Sequence, residues 1–354
     1  VVSGGVIRDN GQYIREKASM DFQAVTDELK TWTKARVMPG FSVALLTGKT
    51  VQTAVSGEAQ WFPQPAPLQP HMLYDVASLT KVIGTTTVFL QAWDQGLVSP
   101  DMPLHRFLPD FPHTTTFRQA LTHTSGLEGY IPHRNALPAP ALKQALMTQL
   151  TVTEEVDRQV VYRDVNLLLV GWALEQVYHQ PIQTLITRQV IQPLALPQAT
   201  FQPDSQQCVP TTYSPAVGLR QGVVHDPKSA ILGKHSGAAG LFASLADLVT
   251  FTEYFFGNRQ SASWPAHAAD LTQDWTKHHL GRSLGWDLRR DGQGRLWLYH
   301  TGYTGTFWLI QPDDQLALVV LTNRVHPQPN PAFLAKRDAL IARFLSDFKT
   351  MPAV

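Results

Sequence analysis

Ser78-Leu79-Thr80-Lys81 lies between a short extended run, Met72–Val76, and an apolar segment, Val82–Trp93, so it reads as the opening of a buried helix. Three residues apart on a helix, the Ser78 hydroxyl and the Lys81 amine share a face and come within reach of each other. The first helical turn adds free backbone N–H groups and a positive field. A hydroxyl beside an amine that burial can hold neutral is a serine prepared for nucleophilic attack. The pattern is short, and a second copy, Ser346-Asp347-Phe348-Lys349, occurs near the chain end. Context separates the two: Ser346 stands on a charged, solvated stretch, whereas Ser78 opens an apolar helix in which Gly84 and Thr85 permit close packing.

Outward from this stretch, Asp21–Ala35 has helical spacing and ends at Pro39-Gly40. Phe41–Thr47 and Val51–Ser56 are strand-like runs joined at Gly48-Lys49, which predicts a hairpin. Gly48-Lys49-Thr50 has a faint likeness to a phosphate-binding loop, but Val43 stands where the first glycine belongs, so the hairpin is the better reading. Trp61–Pro70 is proline-rich and reads as a loop. From the Ser78 helix to about Lys234 the chain alternates helical segments with proline-broken loops, among them Phe117–Thr122, Ala141–Leu150 and Val165–His179. Leu296–His300, Thr306–Ile310 and Leu316–Thr322 then read as a meander, and Pro331–Phe348 closes the chain as an amphipathic helix. Strands near both ends with helices between them predict an α/β (α+β) fold: an antiparallel sheet built from both chain ends and flanked by helices, with a mainly helical domain inserted. The expected division is a sheet domain of residues 1–75 and 235–354 and a helical domain of residues 76–234, with the site between them.

Composition narrows the function classes. The chain has 354 residues, 44% of them hydrophobic, enough to bury a large core. A net charge of +1 without a basic or acidic block makes nucleic acid and anionic membrane surfaces poor partners. The longest apolar run, around Leu167–Leu174, is too short to span a bilayer. Cys208 is the only cysteine, so no internal disulfide forms. No His-Glu-x-x-His occurs despite 13 histidines, and the adjacent His278 and His279 project in different directions on a helix or strand, so no metal site is expected. A Gly-x-Ser-x-Gly nucleophile elbow is also lacking. The chain begins at Val1 rather than Met. As read it slightly favours the cytoplasm, while a leader ahead of Val1 would point to the cell envelope.

Two further stretches complete a candidate site. Tyr162-Arg163-Asp164 immediately precedes the apolar helix from Val165; the plain alternative is a half-buried packing tyrosine with Asp164 as a helix cap. His300-Thr301-Gly302-Tyr303 ends a strand whose edge offers N–H groups to an acyl chain or an oxyanion; the plain alternative is a glycine turn shaped by Gly302 and Gly305.

Taken in order, Ser78-Leu-Thr-Lys81, Tyr162-Arg-Asp164 and His300-Thr-Gly302 resemble the three-motif set of the serine β-lactamase and penicillin-binding protein superfamily, close to the branch of class C β-lactamases, D-Ala-D-Ala carboxypeptidases and related esterases. Leu121-Thr-His-Thr-Ser-Gly-Leu127, Val224-His-Asp226, Gly240-Leu-Phe-Ala-Ser244 and Leu321-Thr-Asn-Arg-Val-His-Pro327 are similar to further segments of that superfamily. The likeness spans roughly residues 25–345.

The resemblance implies that Ser78 forms an acyl-enzyme, that Lys81 and Tyr162 share the general-base work, and that the backbone N–H groups of Ser78 and Tyr303 form the oxyanion hole. No metal or cofactor is implied. Asp164, His300, Thr301 and Gly302 would contact substrate, with two departures from the pattern. Asp164 stands where class C enzymes have an asparagine, and His300 replaces the lysine of Lys-Thr-Gly, which weakens the clamp for a substrate carboxylate. Arg324, at the end of the last strand, is a candidate for supplying the missing charge; the alternative is a strand-end arginine in solvent. The expected activity is a serine acyl hydrolase on a D-Ala-D-Ala-type peptide or a small ester, weak on β-lactams. A penicillin-binding sensor or scaffold without multiple turnover is the second reading. The expected partner is a small-molecule or peptide substrate, with the oligomeric state open.

Overall fold

The computed structural model describes residues 22–346. The expectations touching Asp21 and residues 347–349 lie outside that range. Seven strands form one antiparallel sheet: β1 (Gly40–Thr47), β2 (Thr50–Gln60), β3 (Ala66–Pro67), β4 (Asp287–Arg290), β5 (Leu296–Thr301), β6 (Phe307–Gln311) and β7 (Leu316–Thr322). Their order is β4-β5-β6-β7-β1-β2-β3, so the first and last long strands lie side by side, with Val43 opposite Val320 and Ala44 opposite Val319. Gly48, at φ +60, turns the β1–β2 hairpin with Thr47 opposite Thr50. The stretch read as a loop from Trp61 to Pro70 carries β3, which pairs Glu58 with Pro67 and Gln60 with Ala66 across an irregular register; a proline is tolerated at such a sheet edge.

β1 and β7 are apolar on both faces because both faces are covered. The principal helices are α1 (Phe22–Lys34), α2 (Thr86–Asp94), α3 (Asp164–Tyr178), α4 (Leu245–Phe255) and α5 (Ala332–Ser346). Val25, Leu29 and Trp32 recur on one face of α1, and with Phe333, Leu340 and Phe344 of α5 they cover Val43, Leu45, Leu318 and Val320. Trp32 meets Phe333 edge to face at 5.8 Å. On the opposite face Ala44, Leu46, Val319, Leu321 and Trp308 join a second cluster that continues through Leu248 and Phe251 of α4 into α2 and α3. Residues alternate between these clusters along each strand, as the pleat requires.

A separate short pairing leads into the helical region: Tyr74-Asp75 lies antiparallel to Phe242-Ala243, Val76 N–H donates to the Leu241 carbonyl at 3.1 Å, and the Val76 carbonyl accepts from the Thr306 hydroxyl at 3.2 Å. This places residues 76–78 beside the end of β5. Ser78 itself sits in a turn rather than on a regular helix; Lys81–Thr85 then forms a π-helical turn that continues into α2. Tight packing accompanies the irregular turn. Ile186 fills the space beside Gly84, where an added Cβ would come within 2.6 Å of its Cδ1, and the Thr85 hydroxyl donates to the Gly237 carbonyl at 2.7 Å. No helix among the described residues is long and apolar enough to cross a membrane.

Candidate active site

The turn that presents Ser78 is held from both sides. Ala77 adopts a left-handed backbone, φ 48, and its N–H donates to Asp75 Oδ1 at 2.9 Å. Asp75 Oδ2 accepts from the His225 N–H at 2.7 Å, and the Thr304 hydroxyl donates to the Asp75 carbonyl at 2.8 Å. One buried residue thus ties the serine turn to the loop carrying His225 and to the turn after β5. Burial pushes the Asp75 carboxyl up to about 6, against these N–H bonds.

Lys81 is fully buried at 0% exposure, and its ammonium makes three bonds of 2.8 Å: to Ser78 Oγ, to Asp164 Oδ1 and to the Ala238 carbonyl. Asp164 Oδ2 receives a second lysine, Lys228 Nζ, at 3.1 Å, and Lys228 also binds Asp226 at 2.9 Å. Asp164 is the first residue of α3, so its carboxylate also sits at the positive end of that helix. The expected neutral amine is therefore corrected. Burial alone would lower the basicity of Lys81, but the Asp164 carboxylate and then Tyr162 outweigh it and hold the ammonium charged. In turn Lys81 and Lys228 overcome the burial of Asp164 and keep its carboxyl well below the usual range.

Tyr162 is 45% exposed, with its ring 5.4 Å from Lys81 Nζ. It leans on the buried His123 ring, centroid to centroid 4.4 Å. His123 has a left-handed backbone, φ 58; its carbonyl accepts from Val161 N–H at 2.9 Å, and its Nδ1 faces the Asn166 amide at 3.1 Å. The Leu121–Leu127 segment therefore positions the irregular lead-in to α3 on which Tyr162 stands. Burial, and then the nearby Arg282 and Lys81 charges, keep His123 neutral, well below its ordinary value.

Ser78, Tyr162, Asp164, Thr301 and Tyr303 line one cavity of about 730 Å³. The end of β5 comes against the serine turn because residue 302 is glycine: an added Cβ would lie 2.2 Å from Thr306 Oγ1 and 2.5 Å from the Val76 carbonyl. Among the described residues, the backbone N–H groups of Ser78 and Tyr303 make no hydrogen bond to the chain. A serine hydroxyl, a phenol and two backbone N–H groups thus border an acyl-sized space, with the buried Lys81 ammonium 2.8 Å behind the hydroxyl.

Residues 21–343 match the family model described as Beta-lactamase. The chain belongs to the beta-lactamase family. Within it, the class C β-lactamase, D-Ala-D-Ala carboxypeptidase and esterase superfamily is the consistent match. A putative D-alanyl-D-alanine carboxypeptidase of Escherichia coli (strain K12) is 24% identical over 93% of this chain and 90% of its own length. An N-acetylmuramyl-L-alanine amidase of Bacillus subtilis (strain 168) is 22% identical over 83% and 81%. Among solved structures, a class C β-lactamase from Rhodobacter sphaeroides superposes with a TM-score of 0.72 at 18% identity, covering 92% of this chain and 100% of the other. EstCE1, described as a hydrolase with promiscuous acyltransferase activity, superposes with a TM-score of 0.72 at 20% identity, covering 90% and 98%. The fold is that of these structures, and the family supports hydrolase activity on peptide or ester substrates.

For this beta-lactamase family member, three expected substrate contacts are corrected. His300 is 4% exposed and does not line the cavity: like Leu298 two residues before it, it faces the α4-covered side of the sheet, opposite Trp308, with its ring 6.1 Å from that of Tyr162. Its Nδ1 lies 3.0 Å from the Thr301 carbonyl, and burial with the nearby Lys81 charge holds the ring neutral, well below its ordinary value. Arg324 is 6% exposed and sits behind Tyr303: Nε donates to the Tyr303 carbonyl at 3.0 Å, and the guanidinium lies 4.8 Å from the Tyr303 ring centroid. It is neither a solvent arginine nor a cavity cation. Gly302 likewise acts through close approach rather than by touching the cavity.

Sequence reasoning assigned no role to Asp75, His123, Arg220, His225 or Lys228. The segment Val224-His-Asp226 was singled out, and Lys228 lies two residues beyond it. No local pattern pointed to Lys228, whose ion pair with Asp164 joins segments far apart in the chain. Among the described residues no group of three or more His, Cys, Asp or Glu is placed to hold a metal ion.

Proposed function

We propose that the chain is a serine acyl hydrolase that works through a Ser78 acyl-enzyme on a D-Ala-D-Ala-type peptide or a small ester. The observation that carries this reading is the 2.8 Å contact between Lys81 Nζ and Ser78 Oγ at the wall of the cavity. Ser78 Oγ adds to the substrate carbonyl carbon, and the carbonyl oxygen takes up the electron pair between the N–H groups of Ser78 and Tyr303. With Lys81 held as an ammonium, Tyr162 enters the cycle as its phenolate, and the Ser78 hydroxyl proton passes to that oxygen to give the neutral phenol. The ammonium orients Ser78 Oγ and stabilises the negative charge on its two neighbours. The tetrahedral adduct then expels an amine or alcohol, which takes the proton from Tyr162 as the bond to the carbonyl carbon breaks. Water enters by the same route in reverse, freeing the acid and restoring the serine.

The E. coli and B. subtilis relatives support a cell-wall type peptide as the acyl donor, and EstCE1 supports an ester. Nitrophenyl acetate or butyrate and a D-Ala-D-Ala peptide, assayed with wild type and Ser78→Ala, test the reading. Turnover that the variant lowers by at least ~10³-fold is expected. Equal turnover by the variant removes Ser78 from the mechanism. A label from fluorescent penicillin that is never released would favour the sensor reading instead.

A further inference from the structure

If the expected clamps for a substrate carboxylate, His300 and Arg324, do not reach the cavity, the charge must come from elsewhere or not at all. Thr212, Arg220, His225, Asp226 and Pro227 form part of the cavity wall, and Arg220 is the one arginine or lysine among the described residues that line the space. Its surroundings leave the guanidinium unpaired: Nη2 donates to the Val224 carbonyl at 2.8 Å, and no carboxylate among the described residues lies within ion-pair distance. The acids nearby are already engaged. Asp226 caps the helix Pro227–Leu232 through Ser229 N–H at 2.8 Å and holds Lys228, while the two oxygens of Asp75 receive Ala77 and His225 N–H.

Arg220 is also fixed in place. It follows a small hairpin, Tyr213-Ser214 against Gly218-Leu219, and exchanges backbone bonds of 2.9 Å with Thr211 and Thr212. The hairpin is moored to the sheet end, with Tyr213 N–H donating to the Pro327 carbonyl at 3.0 Å and the Asn323 amide to the Pro210 carbonyl at 2.7 Å. Beside it, His225 stacks on Tyr303 at 5.4 Å, and burial keeps that imidazole below its ordinary value, so it adds no competing charge near neutral pH. A half-buried, preorganised guanidinium that makes no direct ion pair among the described residues, its charge reaching the already engaged Asp75, faces the space beside Ser78 and is matched by a planar anion carried on the substrate.

We propose that Arg220 binds a free carboxylate on the acyl donor, so that the substrates are acidic peptides or acid-bearing esters rather than neutral ones. This inference rests on the hydrolase reading of the same cavity. The test uses three matched acyl thioesters: one with a free carboxylate on the leaving group, one with the carboxylate at the far end of the acyl part, and one in which that group is a primary amide. For wild type, kcat/KM for one of the two acids is expected to exceed that of the amide by at least ~10-fold, mostly in KM and shrinking as salt is raised. Arg220→Gln is expected to collapse this ratio to about one, and Arg220→Lys, which keeps the charge, to recover part of it. Which acid wins tells which side of the scissile bond faces Arg220.

A wild-type ratio near one, or a ratio that Arg220→Gln leaves unchanged, overturns the proposal. Absence of Ser78-dependent turnover would instead overturn the hydrolase reading. In that case calorimetric binding of the same three compounds to wild type and Arg220→Gln decides the Arg220 question: acids bound at least ~10-fold tighter than the amide only by wild type support it, and equal binding refutes it.

Discussion

The charge state of Lys81 is decided by a residue 83 positions away, through the 2.8 Å bond to Asp164. A buried amine with no counterion would lose its proton readily; one held by a carboxylate keeps it. Asp164→Asn removes that carboxylate while preserving size, so Lys81 should deprotonate at a much lower pH. Wild type is expected to show no alkaline limb assignable to Lys81 below about pH 10 in kcat/KM, and Asp164→Asn to bring one into the measurable range. Identical pH profiles for the two proteins would mean that the ion pair does not set the state of the lysine. The Ser78, Lys81 and Tyr162 positions could be singled out only because three short patterns occur in the order of a known motif set, since each pattern alone had a plain alternative. The protonation of Lys81 was not legible, since Lys228 and the Ala238 carbonyl arrive from segments that no local spacing connects.

Strand parity decides what β5 offers. His300 shares its face with Leu298 and is opposite Trp308, so its ring is buried behind Tyr162, 6.1 Å from that ring, while Thr301 at the strand end lines the cavity. That outcome was readable in principle, because Leu298 and His300 are two apart. It was missed because the motif likeness assigned His300 the place of an exposed lysine. The hairpins were legible from apolar runs and glycine turns, with the Leu316–Thr322 strand predicted to the residue. The short β4 was not, since Asp287–Arg290 carries charges and only one buried side chain. The approach of β5 to the serine turn depends on Gly302. Gly302→Ala is expected to force that strand end away from Val76, lowering activity at least ~100-fold and stability by ~2–4 kcal/mol. Measuring turnover and thermal unfolding of that variant checks it; near-wild-type turnover would show that the strand end is not part of the site.

Across the whole molecule, several histidines are folded in as neutral rings. His326 accepts the N–H groups of Trp61 and Phe62 on one nitrogen, Nε2, at 3.0 and 3.1 Å, and burial pulls its value down to about 4. His123, His225 and His300 are shifted in the same direction. Each takes up a proton near pH 6.5 only when unfolded, so the stability they contribute is present above that pH and is lost as pH falls toward their folded values. Asp75, raised to about 6, opposes them, since it favours the folded state as pH falls through that value. With more groups on the histidine side, the melting temperature should fall on the order of 5 °C between pH 7 and pH 5. His326→Gln, whose amide oxygen can accept both N–H groups, should lessen that fall. A melting temperature that is flat or rises on acidification would contradict the balance. The pairing of β1 with β7 has a further consequence during synthesis. A nascent chain holds β1 without its neighbour until Leu316–Thr322 leaves the ribosome, an interval on the order of half a minute at ~5–20 residues per second, and through it Val43 and Leu45 have no α5 above them. A chaperone that grips bare apolar strands has that window in which to act.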